Sequence, residues 1–230
     1  MNKAKRIILI LVALAIITIS IILIFTTVFK KQETITIGVI DSNMSQEYIS
    51  KHNITTIMND NNQIYNTPTH ADMVVDVIKS NDNNCEVLLA NVINDNMTCD
   101  VSKIIDSLNW LNENNVDIIC MSITTLNDTQ ELRNIIKETL AKDIVIVAAC
   151  LNYSTIETYP AAYKNVISVS NCYNENATIS ITASKLKDKF KKSYWQECST
   201  SILTAYVTGE ISKQMSSDNF NTTTYINNYK

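Results

Sequence analysis

Chemistry on an amide bond needs a nucleophile, a base to take its proton, an acid to orient that base, and a donor for the oxyanion. The 230-residue chain offers few bases, because it contains only two histidines, His52 and His70. His52 lies in the polar stretch Lys51-His52-Asn53 and reads as a surface residue. His70 follows Thr67-Pro68-Thr69 and opens an amphipathic pattern, with Met73, Val74, Val77 and Ile78 at helical spacing over Thr69–Lys79. An imidazole at a helix start can be aimed at the edge of a sheet, although taken alone such a residue more often serves structure. Asp41 ends the β-branched run Thr34–Ile40, and Asn152 falls just past the apolar run Ile144–Cys150. Both therefore sit where a strand gives way to a loop.

The elements that must hold these residues alternate along the chain. Strand-like runs at 34–40, 86–93, 116–123, 144–150 and 166–169 are separated by helical patterns at 69–79, 100–114, 128–141 and 200–215. In the second helix Ile104, Ile105, Leu108 and Leu111 share a face behind the N-cap candidate Asp100, and in the last Ile202, Ala205, Tyr206, Gly209 and Ile211 are periodic. Continuous apolar strands between amphipathic helices predict an α/β fold with a mostly parallel sheet covered on both faces. Ligands of such sheets bind beyond the carboxyl ends of the strands. Neither a P-loop nor a GxGxxG sequence is present, which removes most nucleotide-binding readings. No cofactor is expected.

Residues 7–29 stand apart as an almost unbroken apolar run without charge. About 20 such residues span a bilayer as a helix, and the run exceeds the h-region of a cleaved signal peptide and lacks a small-x-small site after it. The expectation is a membrane anchor over 1–31 with its helix at 7–29, a folded domain over 32–215, and a polar C-terminal tail over 216–230. Lys3, Lys5 and Arg6 before the run slightly outweigh Lys30 and Lys31 after it, which predicts a single-pass protein with its domain outside the cytoplasm.

Net charge is −4 and the isoelectric point about 5.2, so no basic surface argues for a nucleic-acid partner. The lysines gathered at 185–192 read as a solvated face. Six cysteines show no CxxC pair and no histidine at ligand spacing, so no metal site is expected; Cys120 and Cys150 sit in apolar runs as small buried hydrophobes. There are only two glycines, Gly38 and Gly209, and asparagine is abundant. Asn tolerates positive φ better than other non-glycine residues, so some turns should use it.

The order of the segments carries a resemblance. Val39-Ile40-Asp41-Ser42, Thr67-Pro68-Thr69-His70, the strand Val116–Ile123, Val145-Ile146-Val147-Ala148-Ala149-Cys150-Leu151-Asn152, Tyr159–Tyr163 with Val166–Val169, and Ser199–Gly209 occur in the order of the motifs of subtilisin-like serine peptidases. Together they cover roughly residues 35–212. The chain thus resembles a divergent, glycine-poor subtilase, which implies a three-layer αβα domain; the apolar run 7–29 adds one transmembrane helix before it. The resemblance implies a triad of Asp41, His70 and Ser201 and an oxyanion donor at Asn152. It also implies that Ser122, Ile123 and Thr124 pair with an extended peptide or protein substrate, with Ala149 and Leu151 along the same cleft.

The glycines that flank these residues in the family are replaced. Ser42-Asn43 follows Asp41, with Asn43 able to take a left-handed conformation. Pro68 precedes the histidine turn, Ser199 precedes Thr200-Ser201, and Leu151 precedes Asn152 on a wall of the expected P1 pocket. Two functions follow: a membrane-anchored endopeptidase, or a tethered binding module that keeps the fold and has lost turnover.

Overall fold

The computed structural model describes residues 2, 5–6, 11–12, 14–21, 34–57, 68–93, 98–171, 174, 176–182, 186, 199–217 and 220–229. The chain divides into two compact units, Met1–Glu33 and Thr34–Lys230. In the first, residues 14–21 are helical, and Leu11, Val12, Leu14, Ile16, Ile17, Ile19 and Ile21 are all 53–59% exposed. The expected span 7–29 lies partly outside the described residues; among those described, no helix is long and apolar enough to cross a membrane. The lysines of 185–192, Thr67, Cys172 and Cys198 also lie outside the described residues.

The second unit is built on strands β1 (Thr36–Asp41), β2 (Thr55–Ile57), β3 (Glu86–Asn91), β4 (Ile118–Met121), β5 (Val145–Ala149), β6 (Ile167–Ser170) and β7 (Ile179–Ser180). They form one sheet in the order β2-β3-β1-β4-β5-β6-β7, and every pairing is parallel. The helices are α1 (Gln46–His52), α2 (His70–Asn81), α3 (Val101–Glu113), α4 (Gln130–Leu140), α5 (Thr200–Met215) and α6 (Thr222–Asn227). Side chains alternate across each strand. Ile37, Val39, Ile118, Cys120 and Val147 meet α2 and α5 on one face, while Ile40, Ile119, Met121, Ile146 and Ala148 meet α3 and α4 on the other. The result is the expected αβα sandwich, wholly parallel among the described strands.

Neither glycine serves a turn; both have negative φ. A Cβ on Gly38 would lie 2.6 Å from Leu111 Cδ2, and one on Gly209 would lie 2.6 Å from the Ile78 carbonyl and 2.9 Å from Asn81 Cβ. Gly38 lets α3 settle on β1. Gly209 lets α5 settle on α2. Positive φ falls instead to Asn53 (50°), Asn115 (51°), Asn165 (69°), Asp143 (61°) and Tyr153 (52°). Asn43, although able to take this conformation, does not: its side chain accepts from Asn91 Nδ2 and its carbonyl from the Ser42 hydroxyl, which turn the loop without it.

The expected polar tail, 216–230, carries a short helix. Residues 222–227 form α6, Tyr225 is 3% exposed in the core, and Phe220, Ile226 and Tyr229 pack against it. The phenols of Tyr225, Tyr229 and Tyr206 all donate to the Glu210 carboxylate on α5. Polar serines, threonines and asparagines dominate the composition of 216–230, and the two tyrosines that pack it, Tyr225 and Tyr229, are diluted among them.

The helix contact at Gly209 gives a mutational test. In an open helix Gly→Ala would stabilise by about 1 kcal/mol. Here the new methyl meets backbone, which cannot swing away, so overpacking at about 1–3 kcal/mol decides the sign. Gly209→Ala in the detergent-solubilised full chain is expected to lower the urea or thermal unfolding midpoint; an unchanged or raised midpoint would contradict this packing.

Candidate active site

Chain order reverses beside β1: strands β2 and β3 lie to one side and β4 onward to the other, which opens a crevice beyond the carboxyl ends of β1 and β4. Asp41, the last residue of β1, is fully buried and keeps its backbone in register with Asn91. One carboxylate oxygen accepts the Ser42 N–H at 2.6 Å. His70, first residue of α2, sets its Nδ1 2.8 and 3.0 Å from the two Asp41 oxygens, so Nδ1–H donates into a buried carboxylate. The imidazole itself is 31% exposed. Thr69 caps α2 by accepting the Asp72 N–H at 3.2 Å, and Asp72 returns the bond to the Thr69 N–H at 2.9 Å.

Ser201 stands in the first turn of α5. Its hydroxyl donates to the Ser122 carbonyl at 3.2 Å, not to the imidazole, and the Ser122 hydroxyl donates back to the Ser201 carbonyl at 3.5 Å. Ser122 follows the last residue of β4. Beyond it, the backbones of Ile123 and Thr124 pair with no neighbouring strand among the described residues, and order resumes at the Thr125–Tyr159 bridge. That leaves a short extended edge open to another strand.

Asn152 is exposed just past β5, and its Oδ1 accepts from the Thr200 N–H at 2.7 Å, the Thr200 hydroxyl at 3.1 Å and Asn171 Nδ2 at 3.1 Å. Ser199, the N-cap of α5, makes no side-chain cap bond, so Asn152 supplies the missing acceptor from another segment. With Oδ1 so occupied, its amide N–H groups face away from Thr200. Tyr153 next to it has φ 52°, a conformation that costs a bulky residue free energy. Ala149 is buried, whereas Leu151 is 37% exposed and has not turned into the core.

The geometry brings Asp41 and His70 into direct contact, Ser201 onto Ser122, and Asn152 onto the residue before Ser201. His52, read as a surface residue, instead stacks on Tyr48 at 4.2 Å with Nε2 buried. Sequence reading missed Asp72 and Asn91, and the hydrogen-bonding roles of Ser42, Asn43 and Thr200. Only Asp72 left a signal, as the fourth residue of a Thr69-x-x-Asp72 capping pattern. Among the described residues no cluster of His, Cys, Asp or Glu is arranged to hold a metal ion.

Residues 32–225 match the family model described as the Subtilase family. The chain belongs to the subtilase family. The match reaches Tyr225, inside α6 and beyond the boundary expected at 215. A curated relative, the minor extracellular protease Epr of Bacillus subtilis (strain 168), is 24% identical over 131 residues, which cover 56% of this chain and 20% of that protein. The chain thus spans about a fifth of that relative's length. Among solved structures, a cold adapted subtilisin-like serine proteinase superposes with a TM-score of 0.64 at 15% identity, covering 84% of this chain and 80% of that one. A lanthipeptide protease gives 0.63 at 12% identity, covering 84% and 78%. At these identities the superpositions speak for the fold; serine peptidase activity on proteins or peptides is what the family suggests.

Behind the site, Cys120 is fully buried, and burial pushes its thiol up to about 12. The thiol therefore stays protonated at any physiological pH and does not compete as a nucleophile. In the folded protein Cys120 is expected to resist iodoacetamide at pH 8 and to react only on unfolding, read by mass spectrometry of the digested protein.

Proposed function

We propose that this subtilase is a membrane-tethered serine endopeptidase in which Asp41, His70 and Ser201 form the triad and Asn152 the oxyanion donor. The observation that carries the reading is the contact of His70 Nδ1 with both oxygens of buried Asp41, at the strand end that faces the Ser201 helix. That bond holds the tautomer in which Nε2 is an acceptor. For catalysis Ser201 Oγ must exchange the Ser122 carbonyl for Nε2. Ser201 Oγ then attacks the scissile carbonyl carbon while His70 takes its proton, and the carbonyl π pair moves onto oxygen. The Asn152 amide and the Ser201 backbone N–H at the α5 N-terminus receive that oxyanion. Collapse expels the amine, protonated by His70, and leaves an ester on Ser201. Water activated by the same imidazole hydrolyses it. An extended substrate adds as a strand on Ser122–Thr124.

Tethering is supported by Leu11, Val12, Leu14, Ile16, Ile17, Ile19 and Ile21, whose side chains stand exposed, and by the length of the uncharged run 7–29. The slight excess of positive charge before the run favours a catalytic domain outside the cytoplasm. The non-catalytic alternative is favoured by one observation, the donation of the Ser201 hydroxyl to the Ser122 carbonyl.

Carbonate-washed membranes from cells making the full chain are expected to retain the protein and to label it with a fluorophosphonate probe at Ser201. Ser201→Ala should abolish labelling, and Asn152→Ala should slow turnover about 10²–10³-fold. Retention without any Ser201-dependent labelling would favour the binding module, and release by carbonate would remove the tether.

Leu151 gives the substrate preference. Its exposure in the cleft wall, where a glycine would leave room, favours small P1 residues such as Ala, Ser or Gly. With matched peptides, the unmodified chain should cleave after Ala in preference to Phe, and Leu151→Gly should widen acceptance with little change on the Ala peptide. Strong preference for Phe by the unmodified chain would refute the narrow pocket.

A further inference from the structure

Resting on the peptidase reading, we propose that Asp72 is a positioning residue whose carboxylate bolts the loop after Asp41 to the turn that carries His70, and so sets the register of the His70–Asp41 pair. Asp72 is 5% exposed, where an unpaired carboxylate would be costly. Its two oxygens accept from two different segments. Oδ2 takes the Thr69 N–H of its own turn at 2.9 Å, and Oδ1 takes the Ser45 N–H at 3.0 Å across the gap to the β1–α1 loop. A capping box needs only the first of these bonds. The second is a tie between elements.

Consecutive residues of the α2 turn each meet the loop. His70 Nδ1 donates to Asp41, the Ala71 N–H to the Ser42 hydroxyl at 3.2 Å, and Asp72 accepts from Ser45. The first and last of these involve a carboxylate, and charge-assisted bonds are roughly twice as strong as neutral ones. The turn itself does not need the tie to exist. Thr69 still caps it, and Ala71, Val74, Val75, Val77 and Ile78 bury α2 in the core. What the tie adds is alignment: Nδ1 stands 2.8 and 3.0 Å from the two Asp41 oxygens, and a slip of about an ångström would break that arrangement and can cost about 10²-fold in rate. Pro68, with no N–H to give, and the buried Ala71 leave the turn few other partners.

Ser45 allows the tie to be cut from its other end. Its φ is −67°, which proline adopts without strain, so Ser45→Pro deletes the N–H that Asp72 accepts. Ser45→Ala removes only the hydroxyl that caps α1 at Tyr48 and keeps the N–H. The full chain in detergent would be compared as Asp72→Asn, Ser45→Pro, Ser45→Ala and wild type. The readouts are circular dichroism, fluorophosphonate labelling rate, kcat and KM on a small-P1 peptide, and the downfield proton resonance of the His70–Asp41 bridge. Asp72→Asn and Ser45→Pro are expected to keep the fold, lose about 10–100-fold in labelling rate and kcat at unchanged KM, and broaden or lose the bridge proton. Ser45→Ala is expected to match wild type in all of them. Folded Asp72→Asn and Ser45→Pro proteins with the wild-type bridge proton and labelling rate would overturn the proposal. Should Asp72→Asn not fold, the contrast between Ser45→Pro and Ser45→Ala decides alone. If wild type is not labelled at all, the peptidase reading falls, and the bridge proton by itself supports or overturns the positioning role.

Discussion

The arrangement depends on one contact, the crossing of α5 over the last turn of α2 at Gly209, where only a glycine fits against the Ile78 carbonyl. His70 lies eight residues before Ile78 and Ser201 eight before Gly209. At about 1.5 Å per residue, both lever arms are about 12 Å. Equal arms from a common crossing bring the two helix starts to the same level above the sheet. The Ser212 hydroxyl, donating to Asp82 Oδ2 at 2.6 Å beside the crossing, keeps α5 from sliding. Distance along the sequence between His70 and Ser201 is thus cancelled by packing, not by any direct bond between them.

The scarcity of glycine is met in two ways. Where the requirement is conformational, Asn, Asp and one Tyr accept positive φ. Where a flanking glycine of the family is missing near the site, side chains from other segments supply the bonds: Asn152 caps α5 in place of Ser199, Ser42 caps the Ala71 N–H, and Asn91 holds Asn43. Only the two close approaches of backbone to neighbour kept glycine itself.

Much of this was legible in the chain. Strand and helix cores announced themselves because burial on both faces demands long apolar runs, and α5 begins and ends where its periodicity does, at Thr200 and Met215. Asp41 and Asn152 could be placed at strand ends from the apolar runs alone. The elements that escaped are short or polar: α1 is seven residues with no buried side chain, β2 three and β7 two. Their existence rests on caps and edge pairing, which leave no periodicity. The supporting hydroxyls and amides escaped for a related reason. Ser, Thr and Asn are common throughout, and what singles out Ser42 or Asn91 is a partner tens of residues away.

The clasp of Tyr206, Tyr225 and Tyr229 on Glu210 has a bearing on synthesis. The helix whose first turn carries Ser201 has its flank sealed by residues that leave the ribosome after it. Domains generally fold as units once their sequence is available. The bonds of Tyr225 and Tyr229 to Glu210 can form only after everything from β1 to β7 has been synthesised. Ser201 is thus the last of the site residues to be synthesised, and two of the three phenols that hold its helix follow it by more than twenty residues.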